Sequence, residues 1–375
     1  MKGIVIVNQS SNYLTSDIAR AFKNSNKYEK VVIITGNPKS LSLSNSEQFI
    51  VDTITPYDKR SIVSRFKSWI FATFQIIWKT WFRYRDYEFL LVSNPPTIHL
   101  FSFLCSNKFS TLVYDVYPDG IATGGFVKRT NIIFKIWTSM AKSFYKKADL
   151  VYAISEGIAK KVEQYCPQDK IEVIPLWSNK DICRVEKSEN LFIKKYNLSE
   201  KFVILYSGNI GKGSNIKVLI ELAMILKANK KIQFVVIGEG MEKPLVEKAI
   251  DMHGLENILL LPYQPADFLS HSLSSANLAF VSVENKAANV CIPSKTFNLL
   301  NVEAPLLCVA SENAEITKLI DSCGIGKTFQ EDNITGIADF IESIIDDEER
   351  IMKFKSNIRN IKDDFSYLNA SKFVK

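Results

Sequence analysis

Short apolar runs alternate with longer amphipathic stretches along the whole chain, and this spacing predicts buried strands separated by helices. Lys2–Val7 reads as a first strand, followed by a polar loop at Asn8–Ser11 and a helix opening at Ser16–Phe22. Further strands are predicted at Lys30–Thr35, Glu88–Val92, Thr111–Asp115, Leu150–Ile154 and Ile171–Ile174. Helices are predicted over Ile62–Arg85, Thr130–Lys147 and Glu156–Tyr165. Pro175–Asp181 interrupts the pattern, and the charged stretch from there to Glu200 reads as weakly ordered. The alternation then resumes with strands at Phe202–Ser207, Ile232–Ile237, Ile258–Leu261, Leu278–Val283, Pro305–Ala310 and Lys327–Phe329. Such repeated strand–helix units predict an α/β chain of two doubly wound Rossmann-like domains facing a central cleft. The predicted division is 1–175 and 176–360, with a tail at 361–375 packing back on the first domain.

The stretch 202–220 carries the densest chemistry. Gly208, Gly211 and Gly213 supply a loop that turns tightly and lets a ligand approach the backbone. Ser214 or Asn215 is placed to cap the helix that follows. Loop amides and a helix N-terminus attract an anion, and Lys212 adds a positive charge. The alternative is a glycine-rich turn with a solvated lysine. Three other strand ends of this half bear similar loops. Gly238-Glu239-Gly240 permits close approach, with Glu239 available to a ribose hydroxyl. Tyr263-Gln264-Pro265 can contact a base. Ser294-Lys295 follows Pro293 at a predicted helix start, a second anion site. In the first half, Asp115 and Asp119 sit at a strand's C-terminal end; the alternative there is turn-forming aspartates beside Pro118 and Gly120.

With 375 residues, 46% hydrophobic and 23% charged, the chain is large enough for two cores. Its six cysteines are scattered without a Cys-x-x-Cys pair, and there are three histidines. That argues against a disulfide framework or zinc site and fits a reducing cytoplasm. Gly3–Val7 is too short for a signal peptide. The net charge of +7 is uneven: residues 1–175 hold 23 Lys+Arg against 14 Asp+Glu, the remainder 24 against 26. The basic half is therefore expected to face an anionic partner. Within it, Ile62–Arg85 interleaves Phe66, Trp69, Phe71, Phe74, Trp78, Trp81 and Phe82 with Lys67, Lys79, Arg83 and Arg85. Its charges leave too short an apolar run to cross a bilayer. The segment reads as a helix at an anionic membrane surface, making the protein peripheral at the inner face of the cytoplasmic membrane; the alternative is a core helix. No RNA-binding signature appears, and nucleic acid is not expected as a partner.

The segments Tyr206-Ser-Gly-Asn-Ile-Gly-Lys212, Val236-Ile-Gly-Glu-Gly240, Pro262-Tyr-Gln-Pro265 and Ile292-Pro-Ser-Lys-Thr296, in this order and spacing, resemble the C-terminal domain of family-4 glycosyltransferases of the GT-B fold. The likeness is closest to the bacterial branch that builds O-antigen, capsule and exopolysaccharide. Ser93-Asn-Pro-Pro96, Tyr114-Asp-Val-Tyr-Pro-Asp119 and Ala148-Asp-Leu-Val-Tyr-Ala-Ile-Ser-Glu-Gly157 are similar to first-half segments of that branch. The resemblance implies a nucleotide-sugar donor held by Gly208, Asn209, Gly211, Lys212, Gly238, Glu239, Gly240, Tyr263, Gln264, Pro265, Ser294, Lys295 and Asn298. It places a saccharide or lipid-linked acceptor near Asn94 and Pro95, and implies transfer with retention. The family's Glu-x7-Glu pair falls here on Val290 and Asn298; Glu284 or Glu303 is the alternative for the ribose contact, although the spacing favours neither. A histidine common before the first-half aspartate is Tyr114. Asn285–Cys291 is expected to select the sugar.

Transfer from such a donor leaves negative charge on the diphosphate, so its stabilisation should be the largest catalytic contribution. The chain has no Asp-x-Asp pair. No metal or cofactor is therefore expected, and Lys212 and Lys295 are assigned the neutralisation. Asp115 or Asp119 is assigned the contact with the acceptor hydroxyl or donor sugar. Competing readings are a GT-B sugar-nucleotide epimerase and a nucleotide-sugar-binding protein without turnover.

Overall fold

The computed structural model describes residues 3–43, 49–123, 127–285, 288 and 292–375. Two compact units emerge, Met1–Leu176 with Tyr367–Lys375, and Trp177–Ser366.

The first unit is built on seven parallel strands: β1 (Gly3–Val7), β2 (Lys30–Thr35), β3 (Ile50–Thr53), β4 (Glu88–Val92), β5 (Phe109–Val113), β6 (Val151–Ala153) and β7 (Ile171–Val173). Their order is β3-β2-β1-β4-β5-β6-β7. Runs such as Gly-Ile-Val-Ile-Val in β1 are buried along their whole length, which is what a parallel sheet covered on both faces requires. The order reverses between β1 and β4, and such reversals open a crevice at the strands' C-terminal ends. The first helix, Tyr13–Asn24, starts three residues before Ser16, because the Asn12 side chain accepts the Leu14 amide and sets its beginning. β3 was not predicted. It is a four-residue edge strand, largely exposed, so it lacks the apolar run that marks its neighbours. The closing segment Tyr367–Phe373 packs against the first helix, and Phe373 lies edge-on to Tyr152 with ring centres 4.7 Å apart.

The second unit has six parallel strands: β8 (Phe202–Ser207), β9 (Ile232–Ile237), β10 (Ile258–Leu261), β11 (Leu278–Ser282), β12 (Leu306–Val309) and β13 (Gly326–Phe329). Their order is β10-β9-β8-β11-β12-β13, reversing between β8 and β11. One core face gathers Ile204, Tyr206, Phe234 and Phe280; the other gathers Val203, Leu205, Val235 and Val281. The stretch expected to be weakly ordered instead holds the helix Leu191–Lys195. Asn190 caps it through the Phe192 and Ile193 amides, and both of those side chains are buried. The charges that suggested disorder lie around it, while two apolar residues are enough to dock it.

Candidate active site

In the second unit, the parallel register pairs Tyr206 with Val236 and Ser207 with Ile237. The loops after β8 and β9 therefore lie side by side. The Gly208 amide donates to the Ile237 carbonyl (2.9 Å), the Ile210 amide to the Glu239 carbonyl (2.8 Å), and the Glu242 amide to the Ile210 carbonyl (2.9 Å). Gly238 and Gly240 both have positive φ, and a Cβ on either would overlap the backbone of Gly208 or Ile210. The close approach expected of these glycines is thus made by the neighbouring loop. Tyr206 donates its hydroxyl to the Asn209 carbonyl at 2.6 Å.

Lys295 lies over this cradle. It opens the helix Lys295–Asn301, and its ammonium is 4.0 Å from the centre of the Tyr206 ring. A Cβ on Gly208 would sit 3.8 Å from that ammonium. Burial pushes the Lys295 pKa down to about 8. The residue makes no ion pair among the described residues. An enclosed cation without a carboxylate partner is poised for an anion.

The other expected donor residues are distributed around this loop pair. Lys212 is exposed and begins a single 3₁₀ turn ending at Ser214. Asn215 occupies the cap position of Ile216–Ile225 in the left-handed conformation, but neither it nor Ser214 provides a side-chain capping bond. Asn209 and Gly211 adjoin each other on the loop. Glu239 is half-exposed and pairs with Lys243 at 2.8 Å. Tyr263 is exposed, Gln264 bonds back to the Pro262 carbonyl, and Pro265 precedes a 3₁₀ turn. Ser294 makes no side-chain capping bond. Asn298 accepts the Asn179 amide at 2.9 Å. Of the two substitute acids, Glu284 lies beside Gly213, whereas Glu303 is taken up by Arg184, Arg359 and Lys362. The expected sugar-selecting stretch is described only at Asn285 and Ala288; residues 286–287 and 289–291, Val290 among them, lie outside the described residues. A polar cavity at the ends of β11–β13 is lined by Asn285, from the expected sugar-selecting stretch, by Asn215, and by Ser311, Glu312 and Gln330, which sequence reasoning missed. Their signal was available, since Ser311 and Glu312 lie one residue beyond β12.

In the first unit, the Ser93 hydroxyl accepts the amides of Tyr114 (3.0 Å) and Asp115 (3.3 Å), tying the ends of β4 and β5 together. The Asn94 carbonyl accepts the Gln9 amide at 2.9 Å. The buried Asn94 Oδ1 has no hydrogen-bond partner among the described residues, and Asn94–Pro95 is a cis peptide. The structure separates the two aspartates. Asp119 is buried and receives Arg129 at 2.9 Å, together with the Tyr165 hydroxyl and the Gln164 amide; its bonds are those of a structural anchor. Asp115 has no such partners among the described residues. It lines a cavity of about 160 Å³ with Tyr57, Arg65, Trp69 and Tyr117. The residue is exposed at the rim of that cavity, and partial desolvation by its neighbours raises its pKa above the usual carboxylate value. Tyr114 is also pushed up by burial.

The Ile62–Arg83 helix has two apolar faces. Trp69, Ala72, Ile76 and Ile77 point into the unit, whereas Ile70, Phe71, Phe74, Trp78, Trp81 and Phe82 are exposed. Trp81 donates to the Leu104 carbonyl at 2.8 Å, joining the exposed Phe103 and Leu104 to this face. Lys79 departs from its expected surface role: it is buried, 2.5 Å from Asp52. No helix among the described residues is long and apolar enough to cross a membrane.

Comparison with known proteins gives what the chain is similar to. Residues 188–361 match the model described as Glycosyl transferases group 1. The chain is 25% identical over 301 residues to "Probable glycosyltransferase WbjE" of Pseudomonas aeruginosa, covering 76% of this chain and 73% of that one. It is 27% identical over 196 residues to WcaI of Escherichia coli strain K12, whose name refers to colanic acid biosynthesis, covering 51% and 47%. Among solved structures, Anabaena HepE in complex with UDP-glucose superposes with a TM-score of 0.72 at 11% identity, covering 99% of this chain and 97% of that one. WaaG, a glycosyltransferase involved in lipopolysaccharide biosynthesis, gives 0.70 at 12% identity, covering 100% and 98%. The fold is GT-B.

Proposed function

We propose that this chain, a group 1 glycosyltransferase of the GT-B fold, moves a sugar with retention from a nucleoside-diphosphate sugar to a lipid-linked saccharide in bacterial surface polysaccharide synthesis. The observation that carries the donor assignment is Lys295, enclosed over Tyr206 beside Gly208 without an acidic partner. A diphosphate there would supply the missing counter-charge. As the glycosidic bond breaks, the leaving diphosphate gains negative charge, and a fixed cation stabilises that change more than the ground state. Lys212, exposed on the adjoining loop, is assigned a second contact. On this reading the two lysines do the neutralisation without a divalent metal. Asp115, freer of protein partners than Asp119, is assigned the acceptor hydroxyl.

The exposed aromatic face of Ile62–Arg83 supports a peripheral position on an anionic membrane at the cytoplasmic side, where a lipid-linked acceptor would lie. Binding of UDP, GDP, dTDP and CDP, each with and without magnesium, tests the donor assignment. One diphosphate should raise the melting temperature independently of magnesium, and Lys295→Met should markedly reduce the shift at the same ligand concentration. Failure of all four to bind would overturn the donor site.

A further inference from the structure

We propose that His99 is a positioning residue for the transfer: through Trp137 it holds Tyr117 against the cavity that Asp115 borders. This rests on the assignment of the acceptor hydroxyl to Asp115 made above, and adds the residues that set the surroundings of that carboxyl. His99 follows β4 on the 3₁₀ turn Pro96–Leu100. It is buried against the Ile132–Lys147 helix, its ring centre 5.0 Å from that of Phe144 and 5.5 Å from that of Tyr145. On the same helix the Trp137 indole N–H donates to His99 Nδ1 at 3.1 Å. An indole nitrogen only donates, so the imidazole is neutral, with its proton on Nε2. Burial keeps it so, lowering its pKa to about 3. A leucine or phenylalanine would fill the same space without desolvating two ring nitrogens. What the imidazole adds is an acceptor for Trp137.

That bond reaches the candidate site through ring packing. Trp137 lies near-parallel to Tyr117, at 13° with ring centres 6.4 Å apart, and Trp69 meets Tyr117 edge-on at 6.2 Å. The two indoles are held differently. Trp69 is buried and packed by Tyr57 and Phe66. Trp137 is half-buried, and its bond to His99 fixes the orientation of its ring. Tyr117 lines the cavity with Asp115, and the carboxylate adds to the burial that raises the tyrosine pKa. Held between two indoles, the Tyr117 ring keeps water from one side of the Asp115 carboxyl and sustains the desolvation that raises its proton affinity. A carboxylate so tuned is a better acceptor for the hydroxyl proton.

Carbon-13 titration of the aspartate carboxyls in the full chain, with Asp115 assigned from Asp115→Asn, reads this arrangement. His99→Leu fills the space without an acceptor, and His99→Asn returns one near the place of Nδ1. His99→Leu should lower the Asp115 midpoint toward the ordinary 3.8, and His99→Asn should restore it. Trp137→Phe keeps a ring and leaves His99 in place, and should lower the midpoint as well; it decides the matter should His99→Leu fail to fold. Arg65, Tyr57 and Tyr145 also face or feel that carboxyl, and none is altered. An unchanged midpoint in either folded variant, or a fall that His99→Asn does not reverse, would show His99 to be packing alone. If the midpoint moves as expected but Asp115→Asn transfers at the parent's rate, the positioning link stands and the acceptor reading falls.

Discussion

The Lys295 ammonium rests 4.0 Å from the centre of the Tyr206 ring, above the loop that links β8 to its helix. The contact favours the charged form through the ring's negative face, but burial outweighs it and lowers the lysine pKa to about 8. Between about 8 and the ordinary 10.5, the unfolded chain binds this proton more tightly than the folded one. Stability therefore rises with pH through that window, and the penalty is fully present below it. Lys295→Met should melt at a higher temperature than the parent at pH 7, with the gap closing by pH 10.5. The same variant should bind the donor diphosphate about 10- to 100-fold more weakly, as expected for loss of a charged hydrogen bond. Thermal melts across pH and titration calorimetry check both halves.

Asp115 and Asp119 should separate cleanly. Asp119→Asn weakens the pairing with Arg129 and Tyr165 and should lower unfolding stability by about 1–3 kcal/mol. Asp115→Asn should leave stability unchanged or slightly higher at pH 7, because partial desolvation already disfavours its charge. Transfer by Asp115→Asn should fall by about 10²- to 10⁴-fold if the carboxylate takes the acceptor proton. In the parent, the rate should be lost on acidification at a higher pH than an ordinary aspartate would impose. Denaturant unfolding and steady-state kinetics distinguish these outcomes.

Gly238→Ala and Gly240→Ala should each destabilise the chain by about 3 kcal/mol or more. Each adds a methyl where the neighbouring loop's backbone already lies and requires a positive φ. Gly120→Ala is the control for backbone effects: its added methyl meets only the Tyr117 side chain, at 3.7 Å, and its stability should change little. Urea midpoints for the three variants test the contrast.

Glu303 should make the second unit acid-sensitive. Burial acts to raise its pKa, but hydrogen bonds from Arg359, Lys362 and Arg184 outweigh it, and the carboxyl ends below its usual value. The stability this confers is present above the unfolded pKa and disappears as pH falls through the folded one. Glu303→Gln should cost about 1–3 kcal/mol at pH 7 and flatten the decline of stability below about pH 4.3, the ordinary glutamate value. Melting curves from pH 3 to 7 would show it; equal acid slopes would refute it.

Membrane association should depend on the exposed aromatic stripe. Substituting Phe71, Phe74, Trp78 and Phe82 with serine removes apolar area already facing solvent and should release the protein from anionic vesicles without lowering its melting temperature. Lys79→Ala should instead destabilise the fold, because it leaves Asp52 without its 2.5 Å partner. Retained sedimentation of the four-serine variant with vesicles would exclude this face.

The parallel strands were legible because they are buried on both faces. Five-residue runs such as Glu88–Val92 and the six-residue Phe202–Ser207 stand out against any helix period, and the structure keeps those bounds. Glycines and lysines at the ends of such strands were legible for the same reason, since topology fixes where a strand's C-terminal end lies. What the sequence alone did not contain is which polar side chain already has a partner. Asp115 and Asp119 are equivalent as text; only the fold gives Asp119 to Arg129 and Tyr165 and leaves Asp115 at the rim of a cavity. Lys79 and Lys295 are likewise two lysines among many, yet one meets Asp52 and the other no acid among the described residues. Strand burial follows from composition within one segment. The state of a charge depends on groups brought from distant segments, and those distances exist only in the tertiary structure.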